Sequence, residues 1–134
     1  MYATSRTLTR WAAGLAFVVL PATGCVAAAA AGAAGAVYAT TRGVESLING
    51  PIDEVAARVP PVMETMEITQ TGSSNEDSGA KREFKGKHGD LDITVELTRQ
   101  DSTTTKADVS ARKNLAEWDK DYARQVLEAI LKHR

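Results

Sequence analysis

Between Lys81 and Thr98 the chain reads Lys81-Arg82-Glu83-Phe84-Lys85-Gly86-Lys87-His88-Gly89-Asp90-Leu91-Asp92-Ile93-Thr94-Val95-Glu96-Leu97-Thr98. Leu91, Ile93, Val95 and Leu97 alternate strictly with Asp92, Thr94, Glu96 and Thr98, the pattern of a strand with one face buried. Lys81 to Lys87 alternates in the same way. His88-Gly89 stands between the two runs with the composition of a two-residue hairpin turn, since histidine tolerates positive φ better than most residues and glycine adopts it freely. With that tip, Lys87 faces Asp90, Lys85 faces Asp92, Glu83 faces Thr94 and Lys81 faces Glu96 on one surface, and Phe84 meets Ile93 on the other. A slip of one residue would exchange the two faces.

Downstream, Thr105, Ala107, Val109 and Ala111 alternate with Lys106, Asp108 and Ser110, which predicts a further strand. A three-residue loop, Gln100-Asp101-Ser102, would set Val109 opposite Ile93 and Lys106 opposite Glu96. A helix is expected from about Asp119, with Tyr122, Ala123, Val126, Leu127, Ile130 and Leu131 on one apolar face and Lys132, His133 and Arg134 at its negative end.

Upstream, Val44 to Ile48 reads as a short strand ended by Asn49-Gly50, and Pro51 suits the first turn of a helix. Ile52, Val55, Ala56, Val59, Val62, Met63 and Met66 recur at helical spacing, a stripe read as core. Pro60-Pro61 is expected to kink it or divide it into two short helices. Thr71 to Ala80, rich in Ser, Gly, Asn and acids, reads as a mobile loop. Asn75, Glu76 and Asp77 do not have the ligand spacing of an EF-hand loop. The order is β-α-β-β-β-α. Two helices cannot cover both sides of such a sheet, so the expected fold is α+β, a two-layer sandwich of a mostly antiparallel sheet with both helices on one face.

The 134 residues allow one domain. Arg6 and Arg10 are the only charged residues among the first 25, so the remainder is mildly acidic, which argues against nucleic acid as a partner. The single cysteine, Cys25, takes its meaning from its position. Arg6 and Arg10 precede the apolar run Trp11 to Leu20, too short to span a bilayer, and Ala22-Thr23-Gly24 stands immediately before Cys25. That arrangement resembles the lipobox of bacterial lipoproteins, with Ala22 where leucine is usual. The resemblance implies signal-peptidase recognition of Ala22, Thr23 and Gly24, removal of residues 1–24 and lipidation of Cys25. Residues 25–41 then read as an Ala/Gly-rich tether and 42–134 as the folded domain. Two other readings of this region are an ordinary secretory signal cut within the alanine tract, and an uncleaved inner-membrane helix formed by fusing the tract with Trp11 to Leu20.

Cys25, the Ala/Gly tract, Gly43-Val44-Glu45-Ser46-Leu47, the first helix, Lys87-His88-Gly89-Asp90-Leu91-Asp92-Ile93-Thr94-Val95 and the final helix occur in an order similar to the small bacterial lipoproteins of the domain-of-unknown-function family 3568. The resemblance implies an envelope location facing the periplasm and no established activity. Val26 follows the cysteine, and in a Gram-negative host a residue other than aspartate there favours the outer membrane.

No catalytic residue, cofactor or metal site is assigned. Asp92 and Glu96 lie about 13 Å apart along a strand, beyond the spacing of paired glycosidase carboxylates. Asp90 and Asp92 are nearer, at about 7 Å, but on an open strand with a lysine opposite each. His88 reads as a structural turn residue. The expected function is a non-catalytic envelope module, held at the membrane by its lipid, that binds an envelope protein, a cell-wall component or a small ligand through the polar sheet face or Thr71 to Ala80. The alternative is an accessory or unrecognised periplasmic enzyme.

Overall fold

The computed structural model describes residues 35–134, and Cys25 with its flanking Ala22, Thr23 and Gly24 lies outside them. The elements run β1 (Tyr38–Ala39), β2 (Gly43–Asn49), α1 (Ile52–Thr65), β3 (Thr69–Glu76), a 3₁₀ turn (Asp77–Gly79), β4 (Lys81–His88), β5 (Leu91–Arg99), β6 (Thr104–Arg112) and α2 (Lys120–Lys132). The six strands form one sheet in the order β1-β2-β6-β5-β4-β3, every neighbour antiparallel. Both helices lie on one side, α2 over β2 and β6 and α1 beside it over β5, giving the expected two-layer α+β sandwich.

Alternation decides which side chains meet them. Val44 and Ile48 of β2, Ile93, Val95 and Leu97 of β5 and Ala107, Val109 and Ala111 of β6 are buried against the helices. From α1 come Ile52, Val55, Val59, Val62 and Met63, and from α2 come Ala123, Val126, Leu127, Ile130 and Leu131. Each large side chain so buried contributes roughly 1.5–3 kcal/mol. The Asp119 side chain caps α2 by accepting from the Tyr122 N–H at 2.8 Å.

The β4–β5 tip differs from the expectation. The turn is Gly89-Asp90, with His88 paired to Leu91, Lys87 to Asp92, Lys85 to Thr94 and Phe84 to Val95. Gly89 takes φ of 56° at the first central position, the place of glycine in a type II′ hairpin turn, and a His88-Gly89 tip would have put histidine there. The register moves by two residues, so both faces survive while every individual pair changes. The same displacement occurs at the next hairpin: Val109 lies opposite Val95 and Glu96 opposite Asp108. Its loop is longer than three residues because the Asp101 carboxylate accepts from Thr103 N–H at 2.8 Å and Oγ at 3.0 Å, closing a local turn.

Three further expectations are corrected. Thr71 to Ala80 is mostly strand, the edge β3, with a bulge between Gln70 and Gly72; it is held by backbone pairing to β4 and needs no apolar pattern. Pro60 and Pro61 sit inside an unbroken α1, on its outer side. Residues on both sides of them, Val55 and Val59 before, Val62 and Met63 after, are buried on one stripe, and that burial offsets a proline penalty of about 3 kcal/mol each. Tyr38–Ala39, in the stretch read as tether, pairs with Glu45 and Val44, so the sheet begins upstream of residue 42.

Helix α1 ends in a Schellman motif: Ile68 N–H donates to Met63 O at 2.8 Å and Glu67 N–H to Glu64 O at 3.1 Å. Glu67 occupies the left-handed position, φ 56°, where glycine is usual.

Candidate functional site

Among the described residues nothing covers the face of the sheet turned away from the helices, and apart from Leu47 its side chains are mostly polar. Strand pairing sets Glu45 opposite Asp108, Asp108 opposite Glu96 and Glu96 opposite Glu83, a row of four carboxylates across β2, β6, β5 and β4. Like charges directly opposite repel. Lysines reached diagonally or along the strand relieve three of them: Lys106 meets Glu45 at 3.0 Å, Lys81 meets Glu96 at 3.3 Å and Lys85 meets Glu83 at 2.9 Å. Hydrogen bonding to the carboxylates raises the pKa of Lys106 and of Lys81. Asp108 has no such partner among the described residues. Burial pushes its carboxyl above the usual aspartate value, and Glu45 and Glu96 on either side push the same way against the pull of Lys106 and Arg42.

Further along, Asp92 sits opposite Arg112 on one strand and Lys87 on the other, 3.5 Å from each. Lys87, not Lys85, is therefore the lysine across from Asp92.

One end of this face is walled. Past β6, Trp118 bridges back to Arg112, and Asp119 N–H donates to Ala111 O at 2.8 Å. The intervening turn is fixed by Asn114, whose side-chain oxygen accepts from Ala116 and Glu117 N–H at 3.0 Å. On the other side, Thr40 and Gly43 exchange two hydrogen bonds, Thr40 N–H to Gly43 O at 2.9 Å and Gly43 N–H to Thr40 Oγ at 3.0 Å. That turn presents Arg42, whose guanidinium lies 5.9 Å from the ring centre of Trp118. Gly43 is needed for the close approach of β2 to β6, because a Cβ there would run into Val109 O. The result is a hollow of about 380 Å³ with Trp118 and Arg42 at its rim, Asp108, Ser110, Thr94 and Glu96 at its floor, and Arg112 and Lys85 nearby.

His88 points to the helix side. It stacks on Tyr122 with ring centres 4.9 Å apart, its Nδ1 3.3 Å from Glu67 O, a packing contact that joins the hairpin tip to the ends of both helices. Among the described residues no group of three or more His, Cys, Asp or Glu side chains is arranged to hold a metal ion. The carboxylate row was illegible along the chain, where only the roughly 13 Å between Asp92 and Glu96 can be measured; across paired strands facing Cβ atoms approach to about 5 Å. Trp118 and Arg42 carried no motif in sequence. The only signal for Trp118 is its place directly before the Asp119 cap.

No family model, curated protein or solved structure matches the chain.

Proposed function

We propose that this chain is a bacterial lipoprotein of the cell envelope, anchored through a lipidated Cys25 and facing the periplasm, whose α+β domain is a non-catalytic binding or interaction module. The observation that carries the module reading is the uncovered sheet face with its hollow walled by Trp118 and Arg42. A polar face with an aromatic and an arginine at its rim has the groups that recur at binding sites, and charges of both signs line the hollow as a whole. The anchor rests on Ala22-Thr23-Gly24-Cys25 and on the likeness to family 3568, and Val26 favours the outer membrane in a Gram-negative host. Among the described residues no helix is long and apolar enough to cross a membrane. Two or more acyl chains, at about 0.8 kcal/mol per buried CH₂, suffice to hold such a domain at a bilayer.

One experiment addresses both halves. The wild type and Cys25→Ser are labelled with a radioactive fatty acid and fractionated, each carrying a photo-crosslinker at Ser110 on the open face or at Gln125 on the outer side of α2. Label and membrane retention that vanish in Cys25→Ser, with a discrete adduct from Ser110 and none from Gln125, are expected. An unlabelled wild type overturns the anchor, and equal adducts from both positions overturn the binding face. The enzyme reading is favoured by one feature, the half-buried Asp108 beside Glu96. It requires a turnover lost in both Asp108→Asn and Glu96→Gln.

A further inference from the structure

Of the charged side chains lining the hollow, Glu83, Lys85, Asp92, Glu96 and Arg112 are each in an ion pair. Asp108 and Arg42 are not paired with any described residue, and they carry opposite charges. Asp108 lies between Glu45 and Glu96, which are paired to Lys106 and Lys81. Of the three carboxylates Asp108 is therefore the one left to attract a positive group placed over it, against the opposing charge of Lys106 close by. Arg42 faces the indole of Trp118. Its guanidinium makes no ion pair with a described residue, so its N–H donors are open to a ligand, and their fork matches the two oxygens of a carboxylate. A simple anion entering the hollow would meet the carboxylate row; a simple cation would meet Arg42 and Arg112. A ligand bearing both charges satisfies both ends, with the Ser110 and Thr94 hydroxyls available to neutral groups between them.

We propose that this hollow binds a small zwitterion with a free ammonium and a free carboxylate, an amino acid or a short peptide, its ammonium over Asp108 and its carboxylate on Arg42 against Trp118. The assignment rests on the reading of the open face as a binding surface. About 380 Å³ has room for one such molecule. The site is open to water, so its affinity falls in the millimolar to high micromolar range and selectivity comes from the two charges.

The test titrates the full chain in detergent micelles with L-alanine, alanyl-alanine and trialanine up to about 20 mM, a concentration that saturates a millimolar site. The readouts are the Trp118 indole and Ser110 amide resonances, with Trp11→Phe used to assign the indole. At least one of the three ligands is expected to shift both resonances saturably, and the best of them reports the span between the charges. For that ligand, Asp108→Asn and Arg42→Gln should each weaken binding about tenfold, and so should N-acetylation or C-amidation of the ligand, which leave the protein untouched. No saturable shift with any of the three overturns the assignment, and so does binding that loses affinity on only one of the two charges. A Ser110 crosslink to an envelope component without zwitterion binding overturns this assignment alone and leaves the module reading standing.

Discussion

Glu67 holds a backbone conformation that suits glycine better. A left-handed non-glycine residue costs roughly 1 kcal/mol, and nothing in the Schellman motif uses the Glu67 side chain. Glu67→Gly is expected to raise the stability of the domain by about 0.5–1 kcal/mol in urea unfolding, with the m-value unchanged. Asp108 makes a pH-dependent prediction. Its pKa is raised in the folded state, so between the ordinary aspartate value and the raised one the folded protein binds more protons than the unfolded chain. Stability contributed by this group therefore falls as pH rises through that window. Asp108→Asn should be at least as stable as the parent at neutral pH, and its advantage should close as the pH drops below the ordinary aspartate value. A thermal unfolding series that shows the advantage growing toward acid would contradict the sign. Neither residue was legible in the sequence. Glu67 owes its strain to where α1 stops, and Asp108 owes its neighbours to strand order.

At the scale of elements, legibility followed the number of faces an element buries. β5 and β6 bury one face each and their alternation was readable residue by residue. So was α2, where Asp119 supplies the cap and the apolar stripe returns every three or four residues. β3 lies at the sheet edge with both faces wet, so Thr69 to Glu76 has no period to detect and its pairing is a backbone matter. The two-residue displacement at both hairpins escaped because alternation fixes faces and leaves even slips undecided; only turn geometry chooses among them. α2 also carries the clearest mutational prediction. Ile130 is fully buried, and Ile130→Asp places an unpaired carboxylate among apolar side chains, with an expected loss of about 4 kcal/mol or more. Gln125→Asp, on the exposed side of the same helix, controls for helix propensity and should cost about 0.5 kcal/mol. Equal urea midpoints for the two variants would show that α2 is not an integral part of the core.

Across the whole molecule, β6 and β5 stand in the middle of the sheet under the helices, and β1 and β3 at its margins. Native-state hydrogen exchange should grade accordingly, with Val95 and Val109 amides exchanging only on global unfolding and outward-facing amides of β3 exchanging through local opening. Uniform protection across the sheet would argue against that hierarchy. Arg42 and Trp118 belong to this scale. Seventy-six positions apart in the chain, they meet only because β2 and β6 are neighbours, and no local pattern could have announced them.

The marginal position of β1 also has a mechanical meaning. Among the described residues β1 has two register pairs with β2, Tyr38 with Glu45 and Ala39 with Val44, and the turn that follows, closed by the Thr40–Gly43 bonds, carries Arg42. Tension drawn on the chain upstream of Gly35 loads those pairs one after the other, as in peeling a strip, while the central strands under the helices stay unstressed. Once those pairs and the Thr40–Gly43 bonds have parted, the next contact to go is that between Arg42 and the indole, so a domain held under load would open its rim before it lost its fold.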